Sequence, residues 1–163
     1  LLPIDTISVS RISHPRDRFV IGQKIRAVVR QTELHRIHLT HRELLGTWEE
    51  NAAAFSAGQT VAGIIRSVES YGVFVELAPN LAGLAEPCED AVAGQCASVY
   101  IKAILPEKMK VKLILIDTFA QTDPPQPPRY FVPESQTHLD YWRYTPESSP
   151  RIIETDFRFP NSI

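Results

Sequence analysis

The chain has 163 residues, 44% hydrophobic and 22% charged, with 17 Lys+Arg against 19 Asp+Glu and a formal net charge of -2. That length suits one domain with appendages. The near-balance of charge excludes a polybasic tail that holds nucleic acid by charge alone, and a long acidic solvating segment. No uninterrupted apolar stretch exceeds four residues, against the roughly 20 that a membrane span needs. Two cysteines, Cys88 and Cys96, make no disulfide scaffold and point to a reducing, cytoplasmic setting.

In chain order, residues 18–40 read as two strands. Ile25, Ala27 and Val29 alternate after Gly22-Gln23, and Ile37 and Leu39 alternate in Arg36-Ile37-His38-Leu39-Thr40. Gln31 to His35 reads as the polar turn between them. A linker helix is expected over 41–56. Thr40 with Glu43 gives a capping-box pattern, and Leu44, Leu45, Trp48, Ala52 and Phe55 form one apolar face. Gly46 weakens that helix by about 1 kcal/mol relative to Ala. Trp48 and Phe55 read as core anchors.

Residues 57–118 read as five short strands. One runs from Gly58-Gln59 to Val68. A second is Tyr71-Gly72-Val73-Phe74-Val75-Glu76-Leu77, with Val73, Val75 and Leu77 on one face and Phe74 and Glu76 on the other. A third spans Leu81 to Glu86 after the Pro79-Asn80 turn, a fourth follows Gly94-Gln95 to Leu105, and a fifth runs from Lys110 to Ile116. Five such strands suit a small closed barrel in an all-β fold. Beyond 119 lies a Pro-rich, aromatic tail. Eight of the chain's 13 prolines fall there. Pro124-Pro125 and Pro127-Pro128 exclude a central strand or helix interior and give a polyproline-type linker. The aromatic run Tyr141-Trp142-Arg143-Tyr144 and the strand-like Arg151 to Phe157 are expected to dock on the body.

The chain repeats itself. Gly22-Gln23-Lys24-Ile25 echoes Gly94-Gln95-Cys96-Ala97, and Arg36-Ile37-His38-Leu39 echoes Lys110-Val111-Lys112-Leu113. Residues 1–40 therefore read as the C-terminal half of a repeat whose whole copy is 57–118. The chain is expected to be a C-terminal fragment of a longer array. Within the whole copy, Gly58-x-x-Val61-x-Gly63-x-Ile65-x-x-Val68-x-x-Tyr71-Gly72-Val73-Phe74-Val75-Glu76-Leu77, followed by Gly83-Leu84-Ala85, resembles the S-one RNA-binding repeat of the largest small-subunit ribosomal protein. The stretch from Leu44 to Phe55 resembles the linker between such repeats.

The resemblance implies a five-stranded OB-type barrel that binds single-stranded, mRNA-like RNA on one face, in translation, with the ribosome as a further partner. It places the family's two aromatics at Tyr71 and Phe74. The alternation agrees independently: if Val73 and Val75 point inward, Phe74 points outward, and an outward aromatic is a base-stacking platform. Arg66, Lys102, Lys108, Lys110 and Lys112, with Arg36 at the position matching Lys110 in the partial copy, are the candidate phosphate contacts; Lys110 and Lys112 share the outward face if Val111 and Leu113 face the core. Arg11, Arg16 and Arg18 extend that track. The sequence departs from the family at Glu86, where the family has His, and in the seven-residue connection 87–93. These departures support a second reading, a protein-interaction or spacer repeat that has lost RNA binding. Unpaired strand edges in the partial copy make self-association a further expectation.

No enzyme and no cofactor are expected. The spacing His35-x-x-His38-x-x-His41 invites a metal, but on a strand His35 and His38 point to opposite faces, and no Cys or carboxylate completes a set. Cys88 has no His nearby in sequence to activate it, and no phosphate loop, nucleophile elbow or zinc-protease motif occurs.

Overall fold

Strands β1 (Val28–Glu33) and β2 (Arg36–Thr40) form an antiparallel hairpin. The computed structural model describes residues 1–158, so residues 159–163 of the tail lie outside the described residues. The turn is shorter than the sequence suggests. Gln31, Thr32 and Glu33 pair with His38, Ile37 and Arg36, leaving only Leu34 and His35 to reverse the chain, with His35 at φ 75. Polar residues on a solvent-facing ladder lose nothing by pairing, so polarity there does not mark a turn. Residues 23–27, read as strand, are not in one.

The linker is not one helix. A 3-10 turn spans Arg42–Leu45, Gly46 takes φ 92, and helix α1 covers only Trp48–Ala52. The capping box belongs to Thr47 and Glu50, which exchange bonds of 3.1 and 3.0 Å. Thr40 instead donates its hydroxyl to the buried Glu43 carboxylate at 2.7 Å. Gly46 is required twice over: its φ suits glycine, and a Cβ there would lie 2.8 Å from Phe131 Cδ1. Trp48 is nonetheless a core anchor, 3% exposed.

Five strands close the barrel: β3 (Thr60–Glu69), β4 (Gly72–Ala78), β5 (Leu81–Ala85), β6 (Cys96–Leu105) and β7 (Lys110–Phe119), in the order β3-β4-β5-β7-β6. Ile65, Val73, Val75, Ala97, Val99, Ile101, Val111 and Leu113 fill it. The fold is all-β and OB-type. Closure runs through the parallel pairing of β5 with β7. It needs Gly83, because a Cβ there would meet Leu113 Cδ1 at 2.6 Å and the Val111 carbonyl at 2.8 Å.

The tail packs on the linker and on the β4–β5 turn. Strands β8 (Tyr141–Arg143) and β9 (Glu154–Asp156) pair antiparallel, so the run from Arg151 to Phe157 holds only a three-residue strand. Trp142 and Tyr144 join the main core. Trp48 N–H donates to the Tyr144 carbonyl at 3.0 Å and Phe131 N–H to Leu44 at 2.8 Å. The Thr155 hydroxyl donates to Glu43 at 2.9 Å.

Asn80, fully buried, ties these pieces together. Its Oδ1 accepts from Val9 N–H at 2.9 Å, its Nδ2 donates to the Arg42 and Gly46 carbonyls at 2.9 and 2.8 Å, and its own carbonyl accepts from the Tyr144 hydroxyl. Burial pushes the Tyr144 phenol up, so it remains a donor. Asn80→Ala leaves three backbone groups unpaired, each costing about 1–3 kcal/mol when buried. The variant is expected to lose about 3 kcal/mol or more in urea denaturation, and an unchanged midpoint would refute this role.

His41, also buried, holds the first tail residues. Its ring nitrogens lie 2.7 Å from the Ile7 carbonyl and 3.0 Å from the Tyr130 hydroxyl, and its ring meets Phe19 edge-on. Desolvation lowers its pKa below the ordinary 6.5; the Ile7 bond opposes this and the Arg18 charge adds to it. Between the folded value and 6.5 the unfolded chain therefore binds more protons, so stability falls as pH drops through that window. Thermal midpoints are expected to fall from about pH 8 to about pH 5.5, and His41→Gln is expected to flatten the fall. Parallel profiles for the two proteins would assign the dependence elsewhere.

Candidate nucleic-acid interface

Val73 and Val75 are fully buried in the barrel, and period-two alternation turns Phe74 outward between them. Directly paired residues share a face. Phe74 pairs with Ser67 on one side and Leu84 on the other, and Leu84 pairs with Lys112. An outward row therefore crosses four strands as Ser67, Phe74, Leu84, Lys112. With strands about 4.8 Å apart, the Phe74 and Lys112 backbones stand about 10 Å apart. Tyr71, in the β3–β4 turn, is 63% exposed. Its ring lies 6.0 Å from that of Phe74 at 83°, edge to face. The docked tail leaves Tyr71 open; its Phe131 and Tyr144 pack at the linker and at Asn80 instead.

Lys110 and Lys112 alternate outward along β7, Lys108 sits in the 3-10 turn Pro106–Lys108, and Lys102 projects from β6 beside the bulge opposite Lys112. All four are exposed. None forms an ion pair among the described residues. Glu86 is exposed one residue past β5, on the same side of the strand as Leu84 by alternation. Among the candidate lysines, Lys112 is the one placed nearest in register to Phe74. The parallel β5–β7 pairing does this, and a pairing 28 residues apart has no local sequence signal.

Two candidates fall elsewhere. Arg66 is not an open cation. Its Nη2 donates to Glu76 Oε2 at 3.0 Å and its Nε to Oε1 at 3.3 Å. Arg18 grips the same carboxylate bidentately at 2.8 and 2.6 Å, and so is buried rather than extending a surface track. Desolvation pushes the Glu76 carboxyl up, but the hydrogen bonds and charges of Arg18 and Arg66 outweigh it and hold the pKa below the usual range. Glu76 shares the outward side of its strand with Phe74. The segment carrying Arg18 covers it, leaving it 5% exposed. Arg36 sits on the β1–β2 hairpin, opposite Glu33, in a sheet separate from the barrel.

The His35, His38 and His41 spacing does not make a cluster. His35 is in a turn, and both His41 nitrogens have partners. Among the described residues no helix is long and apolar enough to cross a membrane.

No protein-family model matches the chain. Several curated proteins are similar to it. The small ribosomal subunit protein bS1 of Rhizobium meliloti is 26% identical over 164 aligned residues, covering 99% of this chain and 28% of that protein. The bS1 of Rhodopseudomonas palustris is 33% identical over 87 residues, 52% of this chain and 15% of that protein. The bS1 of Staphylococcus aureus is 29% identical over 139 residues, 76% of this chain and 35% of that protein. The chain thus spans 28% of the first of these relatives and 35% of the last.

Proposed function

We propose, for a chain whose barrel is an S-one-type repeat similar to those of bS1 ribosomal proteins, that it is an RNA-binding module working in translation, in the cytoplasm and with the ribosome as a partner. Single-stranded, mRNA-like RNA stacks on Tyr71 and Phe74 and crosses Leu84 toward Lys112. Lys110, Lys108 and Lys102 meet the phosphates that follow. The observation that carries this reading is the pair of an exposed Tyr71 and a half-buried, outward Phe74 at the head of a row ending in a lysine with no ion pair among the described residues. Base–aromatic stacking contributes about 1–3 kcal/mol per base and tolerates any sequence. Lysines add a salt-dependent term through counterion release. Arg66 and Arg36 are not part of this path, since one is held by Glu76 and the other lies off the barrel.

Glu86 favours the second reading, a spacer or protein-contact repeat, because a carboxylate beside the Leu84 position repels phosphate. Labelled single-stranded RNA titrated across salt concentration separates the two. Binding is expected to weaken steeply with salt and to lose about 1–3 kcal/mol in Phe74→Ala. Lys112→Gln is expected to reduce the slope of log K against log salt by about 0.7. No binding at low salt would sink the RNA reading in favour of the second.

Self-association belongs to the same proposal. Val29 and Ile37 on the hairpin stay 55% and 54% exposed, an apolar side that a second copy would cover. Sedimentation is expected to show a mass rising with concentration, and a monomer at every concentration would exclude it.

A further inference from the structure

The prolines between β7 and Tyr130 form a strap whose conformation is set almost wholly by covalent geometry. Pro124, Pro125, Pro127 and Pro128 have φ fixed near −65°. Asp123, Pro124, Gln126 and Pro127 each precede a proline, which drives them into the extended region. The segment is thereby confined to a polyproline rod with three residues per turn and three edges. Between Phe119 and Phe131 the described residues make no backbone–backbone hydrogen bond, as such a rod requires.

Exposure follows that period. Pro125 and Pro128 are half-buried, while Asp123, Pro124, Gln126, Pro127 and Arg129 are exposed. One edge therefore faces the barrel, across a cleft of about 430 Å³ that also borders Arg18, Arg66 and Glu76. Two edges border the cleft but remain exposed to solvent: Pro124 with Pro127, and Asp123 with Gln126 and Arg129. The strap is held at both ends. Phe119 pairs in the barrel, and Tyr130 is fixed by His41 and by Arg26, whose backbone N–H donates to the Tyr130 hydroxyl at 3.1 Å. Much of the ordering that a partner would otherwise impose is already done.

We propose that this outward ridge, Pro124-x-x-Pro127-x-Arg129, is a docking element for a small domain of the SH3 type, with an aromatic-lined groove and a carboxylate cluster at one end. Such a groove reads two edges of a polyproline rod and leaves the third facing away. The edge that would face away, Pro125 with Pro128, is the one already turned to the barrel. Arg129 is an exposed residue whose guanidinium lies 4.8 Å above the Phe131 ring, and it is the cation that the carboxylates would meet. The same stretch also spells Pro127-Pro128-x-Tyr130, the pattern read by WW domains. That reading is closed, because the Tyr130 hydroxyl is bonded to His41 and the Arg26 guanidinium lies 5.2 Å from its ring. The inference is independent of the RNA reading, since the strap includes neither Tyr71 nor Phe74.

The test uses the full chain, isotope-labelled, titrated with a purified SH3 domain that selects P-x-x-P-x-R peptides, and separately with a purified WW domain that selects P-P-x-Y. Saturable shifts are expected at the Gln126 and Arg129 amides with the first domain and none with the second. Pro127→Ala and Arg129→Glu are each expected to weaken binding about tenfold or more, and Pro128→Ala less than about twofold. Thermal midpoints check that the variants fold, and a peptide of residues 121–131 is expected to displace the SH3 domain. Absence of saturable binding, equal losses from Pro127→Ala and Pro128→Ala, or binding of the WW domain would each overturn the assignment.

Discussion

Asn80 is the constraint on which the arrangement depends. A fully buried amide must satisfy both of its ends, because an unpaired polar group in a low-dielectric interior is costly. Here both ends are satisfied by the N-terminal segment through Val9 and the linker through Arg42 and Gly46. The backbone carbonyl of the same residue takes the tail through Tyr144. A turn that in isolation would merely join β4 to β5 becomes the point where four stretches of chain agree on their relative positions.

The second constraint is electrostatic, and it divides the outer side of β4. Glu76 and Phe74 point the same way, two residues apart. Burying Glu76 demanded two guanidinium groups, one from β3 and one from the N-terminal segment, with good geometry to offset desolvation. The N-terminal segment therefore covers the strand at Glu76, while the Tyr71 end of the face stays open. Coverage of one half and openness of the other follow from the same pair of alternating side chains.

What was legible in the sequence is what depends on near neighbours. Val73 and Val75 alternate within one strand, so the inward face and the outward Phe74 could be read directly. Trp48 as an anchor followed from apolar spacing, and the alternation in Arg36 to Leu39 and in Lys110 to Leu113 marked two strands. What could not be read depends on residues far along the chain. The linker looked like one helix because Leu44, Leu45 and Trp48 share a face, yet Gly46 breaks it where Phe131 passes. Arg66 looked like a surface cation because its partner Arg18 and their shared carboxylate lie on other elements. Lys112 was one lysine among several until the β5–β7 pairing placed it beside Leu84.

The bonds that hold the N-terminal segment have a temporal side. Val9 waits for Asn80, 71 residues later, and Arg26 for Tyr130, 104 residues later. At synthesis rates of about 5–20 residues per second, the second wait lasts roughly 5 to 20 s. Over that interval the hairpin and the barrel strands can pair among themselves while Val9 and Arg26 still lack these partners. The order of emergence thus leaves these two contacts until well after their first partners are made, and contacts this distant in sequence slow the final step further.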